Sequence, residues 1–157
     1  MNLVSPATPY GFTTFFDDLR QEMNGKFIYN GVYTGTIIVP TIPFILPSFV
    51  AMVTYRERPG ESTDPVTLKV FVPGTSGAIV EMPIPVEQMR SAEYDQTIDF
   101  EGMDKILSMQ LPLVFVPFPI AQEGFIRVRA YRGEAEIRVG ALRIQLGTVP
   151  TPIQSQP

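Results

Sequence analysis

The chain has 157 residues, 45% of them hydrophobic, and carries 12 Lys and Arg against 16 Asp and Glu, a net charge of −4. It contains no His, Cys or Trp, which removes the side chains that titrate near neutral pH, the readiest thiolate nucleophiles, the commonest transition-metal ligands and any disulfide framework. One core suffices at this length, a mean hydropathy of +0.12 excludes a disordered polar chain, and the acidic balance opposes attraction to nucleic acid or anionic membrane.

In chain order, residues 1–10 are expected to form an extended N-terminal tail, 11–147 a single domain and 148–157 a flexible, Pro-rich C-terminal tail. Met1-Asn2-Leu3-Val4-Ser5-Pro6 lacks the charged and apolar regions of a secretory signal, so a cytoplasmic location is the expectation. Phe12 to Phe16 leads through Asp17-Asp18-Leu19-Arg20 to a turn at Met23-Asn24-Gly25-Lys26, and Asn-Gly beside the run Phe27 to Val39 signals a hairpin. The apolar stretch Ile37 to Val53 is interrupted by Pro40, Pro43 and Pro47, which exclude a membrane-spanning helix. Phe49 to Arg56 alternates with both faces apolar, as expected of an interior strand.

A polar loop at 57–65 is followed by alternating Val66, Leu68, Val70 and Val72. From Gly74 to Gly102 the pattern weakens, and Val86 to Ala92 permits at most a short helix. Residues 104–119 form an apolar run broken by Pro112, Pro117 and Pro119, which places that strand at an edge or a bend. The last hairpin is the most legible element. A turn at Gly133-Glu134 pairs Arg132 with Ala135, Tyr131 with Glu136, Ala130 with Ile137, Arg129 with Arg138 and Val128 with Val139. The apolar series then moves to Leu142, Ile144 and Leu146, which requires a β-bulge near Gly140-Ala141. Seven or eight short strands without long helical periodicity predict one antiparallel β-sandwich, with a small β-barrel as the architectural alternative.

Phe16-Asp17-Asp18-Leu19-Arg20-Gln21-Glu22, with Gly25-Lys26 and Gly31-Val32-Tyr33, resembles the opening of a family of short bacterial proteins of no assigned function. Phe115, Pro117 and Phe118 before Glu123-Gly124-Phe125, and the Arg132-Gly133-Glu134 turn, fit the end of that family, while residues 57–104 carry no resemblance. The resemblance implies a bacterial or bacteriophage β-sandwich, in the cytoplasm or in a phage particle, and implies no reaction.

Three constellations stand out. Asp17, Asp18, Arg20 and Glu22 form a charged cluster that reads as a polar strand end. A Ca²⁺ site there would need oxygens from Glu57, Glu61 and Asp64, or from Glu93, Asp95, Asp99 and Glu101. Arg127, Arg129 and Arg138, with Arg132 at the turn and Arg143 beyond the bulge, make a basic face that reads as solvated or paired, or as a site for an anion or acidic partner. The Pro-rich apolar segments, if they expose Phe44, Ile45, Phe118 or Ile120, would form a protein interface. No Gly-x-Ser-x-Gly, Walker or dinucleotide fingerprint is present. The expectation is therefore a non-enzymatic interaction or structural module without metal or cofactor, with a protein partner or a second copy of itself. An anion-binding domain is the alternative.

Overall fold

The computed structural model describes residues 7–61, 64–95, 97–98 and 105–148, an all-β sandwich with one helix. In chain order its strands are β1 (Tyr10–Gln21), β2 (Phe27–Val32), β3 (Thr36–Val39), β4 (Phe44–Leu46), β5 (Phe49–Glu57), β6 (Val66–Phe71) and β7 (Val80–Ile84). Helix α1 (Val86–Asp95) follows, then β8 (Thr97–Ile98), β9 (Ile106–Phe115), β10 (Phe118–Ile120), β11 (Gly124–Arg132) and β12 (Ala135–Leu146). One sheet runs β2-β1-β5-β9-β8 and the other β3-β12-β11-β6-β7, while β4 and β10 form a small ladder of their own. None of the sheets closes on itself, so the barrel alternative is not adopted.

Alternation builds the core. Phe49, Ala51, Val53 and Tyr55 of β5 face Val66, Leu68 and Val70 of β6 and Ile126, Val128 and Ala130 of β11, and all are buried. Beside them lie Leu107, Met109 and Leu113 of β9 and Leu142 and Ile144 of β12. Met89 and Ala92 of α1, three residues apart on one helical face, join the same core. The helix spans 10 residues, Val86–Asp95, and runs past the short helix expected over Val86 to Ala92. Pro85 stands just before it, and its carbonyl accepts from the Gln88 and Met89 amides.

Two details of this arrangement differ from the sequence reading. The run Phe27 to Val39 is two strands in different sheets, divided at Gly35, whose φ of +130° is open to glycine alone. β3 pairs with β12 in parallel, so that sheet is mixed. The strand holding Pro112 takes the second of its two expected placements, ending at Phe115 in a bend at Val116-Pro117. It lies between β5 and β8, but β8 pairs only with Ile106 and Leu107, which leaves the Pro112 stretch open on that side among the described residues. The tails expected at 1–10 and 148–157 fall mostly outside the described residues.

The bulge in β12 falls at Val139, one residue before its expected place. Arg129 pairs with Arg138, but Val128 pairs with Gly140 rather than with Val139. The extra residue leaves the Val139 carbonyl outside the regular ladder, and Thr13 Oγ1 of the opposite sheet donates to it at 3.0 Å. This contact needs close approach: a Cβ on Gly140 would lie 2.7 Å from Thr13 Cβ. Gly140→Val should therefore lower unfolding stability by about 1–3 kcal/mol. Thr13→Val, which removes only the hydrogen bond, should cost about 1 kcal/mol. Urea denaturation reads both, and an unchanged midpoint for Gly140→Val would refute the close-approach argument.

Candidate functional site

The arginine face forms as its parity requires. Arg127, Arg129 and Tyr131 of β11 lie beside Phe71, Lys69 and Thr67 of β6, and Arg129 stands opposite Arg138. Like charges opposed in a ladder repel, and Glu136 relieves this, with Oε1 at 3.2 Å from Arg129 Nε and 3.9 Å from Arg138 Nε. The acid comes from the same hairpin. Arg129 also donates to the carbonyls of Val128 at 2.9 Å and Gly140 at 3.3 Å. Its side chain is only 13% exposed, whereas that of Arg138 is 82% exposed. Arg127 lies over the Phe71 ring and Lys69 over Tyr131. Arg143 is exposed past the bulge, opposite Phe125. The face thus presents Arg127, Arg138 and Arg143 to solvent and holds Arg129 in internal contacts.

The Pro-rich segments pair as β4 with β10, Pro119 opposite Ile45 and Ile120 opposite Phe44. The period of two sends Phe118 and Ile120 into the core, leaves Phe44 half-buried and turns Ile45 outward. Burial removes Phe118 and Ile120 from any interface. Phe118 stacks at 4.6 Å on Phe49, which also meets Phe15, Tyr33 and Phe115, and the segments close this end of the sandwich.

The acidic cluster at the end of β1 is likewise divided. Asp18 pairs with Arg20 at 3.1 Å in solvent, and Asp17 accepts a hydrogen bond from the Tyr33 hydroxyl. Burial and the adjoining Asp17 carboxylate push the Tyr33 phenol well above its ordinary range. Both aspartates border a cavity of about 460 Å³ walled by Tyr33, Phe44 and Leu46. Among the described residues no three carboxylates converge in a way that could hold a metal. The side chains of Glu93 and Asp95, with Asp99 and Glu101, lie outside the described residues.

Two features were not anticipated. The first is an arm formed by the distal half of β1 with β2. Leu19 and Tyr29, paired across it, pack onto Phe16, Val50 and Met52 on the outer face of the β5 sheet, and Tyr29 stacks on Phe16 at 4.3 Å. Ile28 (40% exposed) and Val32 (51%), the latter across from Phe16, are open to solvent, and Met23 is fully exposed at the tip. Alternation of Tyr29 against Ile28 carries the signal, but the sequence does not show that β2 folds over the sheet.

The second feature is a buried polar group between the sheets. Glu57 continues the inward series Phe49, Ala51, Val53, Tyr55, and Arg132 continues Ile126, Val128, Ala130. Tyr55 donates its hydroxyl to Glu57 Oε2 at 2.9 Å, and Arg132 Nη1 lies 3.7 Å from the same oxygen. Arg132 therefore leaves the outward basic face and crosses the interior to the opposite sheet. Parity in both strands would have disclosed this. The Glu57 side chain is fully buried, which closes the group to a substrate and makes it an electrostatic tie between layers. Burial first, then the Glu57 carboxylate, pushes the Tyr55 phenol well above its ordinary value, against the opposing effect of Arg132.

Removing Arg132 takes away the guanidinium that lies 3.7 Å from the buried Glu57 carboxylate. Arg132→Leu should destabilise the fold by about 3–5 kcal/mol, read by urea denaturation; a loss under about 1 kcal/mol would refute the tie. The buried phenol has a pH signature. The folded state keeps Tyr55 protonated, while an unfolded tyrosine ionises near pH 10.0. Its contribution is whole below that pH and declines as pH rises towards the folded value, by at most about 1.4 kcal/mol per pH unit. Alkaline unfolding should thus steepen above pH 10, and Tyr55→Phe should flatten the slope. An identical slope in the variant would remove Tyr55 as its source.

Among the described residues no helix is long and apolar enough to cross a membrane. Comparison with known proteins gives no matching family model, no curated relative and no solved structure of significant similarity.

Proposed function

We propose that this protein is a non-catalytic structural and protein-interaction module, of the bacterial or phage setting that the sequence resemblance implies, and that the β1–β2 arm is its working surface. The observation that carries the reading is the exposed apolar surface of the arm. Leu19 and Tyr29 seal the outer face of the sheet, yet Ile28 and Val32 remain apolar and exposed. Phe27, on the Tyr29 side by alternation, is also 38% exposed. The arginine face offers less, because Arg129 is held by Glu136 and by two carbonyls.

The test uses two tagged baits, the wild type and Ile28→Lys/Val32→Lys, in source-cell lysate at low and high salt, with retained proteins identified by mass spectrometry. The wild type should retain a protein that survives high salt and that the variant loses. Equal retention by both baits, or retention that vanishes in high salt, would overturn the arm in favour of a charged surface.

A further inference from the structure

The basic outer face of β12, β11 and β6 divides into a neutralised part and an open one. Toward the β11–β12 turn the cations already have partners: Arg129 and Arg138 share Glu136, and Lys69 pairs with Glu81 at 3.2 Å. Toward the start of β11, Arg127 and Arg143 have no ion pair among the described residues. Both are exposed and both neighbour Phe125, Arg127 two residues along the same strand and Arg143 directly across the ladder. Phe125 is itself 53% exposed.

Beside these side chains lies a cleft of about 310 Å³, walled in part by Val72, Pro73, Phe125 and Arg127. The backbone shapes it: Gly124 has a φ of +141°, and a Cβ there would stand 2.9 Å from Pro73 Cγ. Arg127 lies over the Phe71 ring, its guanidinium carbon 5.4 Å from the ring centroid, so the cation is positioned before any ligand arrives. Glu123 also borders the cleft, but its Oε1 accepts from the Leu146 amide at 2.7 Å, which ties that carboxylate to β12.

We infer that this corner binds a small aromatic phosphate monoester, with its ring on Phe125 beside the apolar wall of the cleft and its phosphate held by Arg127 and Arg143. Two guanidiniums without ion pairs favour phosphate over carboxylate. Each is a planar fork of donors, and a phosphate monoester offers three acceptor oxygens and close to two charges. The exposed Phe125 ring adds a stacking surface that an inorganic anion cannot use. A nucleic-acid strand fits less well, because the cleft is small, the net charge of −4 repels a polyanion, and the other cations of the face are paired. The corner lies on the sheet that does not contain the β1–β2 arm, and it stands independently of the reading of the arm.

Isothermal titration calorimetry of the purified full-length protein at low salt tests this, with AMP, O-phosphotyrosine, glycerol phosphate and inorganic phosphate as probes. One of the two aromatic probes should bind with a Kd below about 1 mM, at least about tenfold more tightly than either probe without a ring. The tighter of the two identifies the source of the ligand as a nucleotide or a phosphorylated tyrosine. Arg127→Gln and Arg143→Gln should each weaken that probe by at least about tenfold, and Phe125→Leu should erase its preference over glycerol phosphate. Arg138→Gln, on the same face, should leave its affinity unchanged. All four positions are exposed, so the thermal midpoint of each variant should match the wild type and show that lost binding is not lost folding. Absence of binding by both aromatic probes, equal binding of inorganic phosphate, or indifference to both Arg→Gln variants would each overturn the site. A short oligothymidylate that binds about tenfold more tightly than either aromatic monomer would overturn it in favour of a strand.

Discussion

Burial of β5 on both faces is the constraint from which the rest of the architecture follows. Every residue from Phe49 to Tyr55 is buried, and a strand apolar on both sides needs a cover on each. The second sheet supplies one, laying Val66, Leu68, Val70, Ile126, Val128 and Ala130 against Phe49, Ala51, Val53 and Tyr55. The other face, with Val50 and Met52, forms a separate buried cluster that the second sheet does not cover. The β1–β2 arm takes that place with Leu19 and Tyr29. β1 thus has two duties, pairing with β5 through residues 10–16 and with β2 through 16–21.

The two ends of β5 close the core by different chemistry. At its start Phe49 gathers Phe15, Tyr33, Phe115 and Phe118, so the end bearing the prolines is sealed by aromatic contact. At its end Glu57 meets Tyr55 and Arg132. Apolar side chains of similar volume could match or exceed such a buried pair in stability, since desolvating two charges offsets much of their attraction. What the pair adds is discrimination. A slip of β5 or β11 by one residue would turn Glu57 or Arg132 outward and leave its partner charged in the interior, whereas a slipped aliphatic pair loses only packing.

The same distinction between local and non-local information explains what the sequence disclosed. The β11–β12 hairpin was legible down to Arg129 opposite Arg138, because a two-residue turn fixes register and each rung follows from the one before. It failed at Val128, since the placement of the bulge depends on Thr13, more than a hundred positions away. The run Phe27 to Val39 read as continuous because composition does not change at Gly35, while sheet membership does. The burial of Phe118 and Ile120, and the exposure of Ile45 between the same two strands, follow from a pairing of β4 with β10 that no local pattern reveals. Arg132 shows the converse. Its parity with Ala130 was readable, yet it was placed only at the turn, and Glu57 on the other sheet is what makes the inward position tolerable.

Folding accounts for the buried side chains of the arm and not for the exposed ones. Leu19 and Tyr29 are needed to keep water from Phe16, Val50 and Met52, and their burial contributes to stability like any core contact. Ile28 and Val32 are 40% and 51% exposed and are not members of that buried cluster. Polar side chains at those positions would also blunt an open edge, as proline and short length do on the others. The chain thus guards β7, β8 and β3 by proline or short length, and leaves β2 without a proline and with Ile28 and Val32 exposed. Such an edge is costly for a solitary soluble domain, and contact with a complementary surface removes that cost.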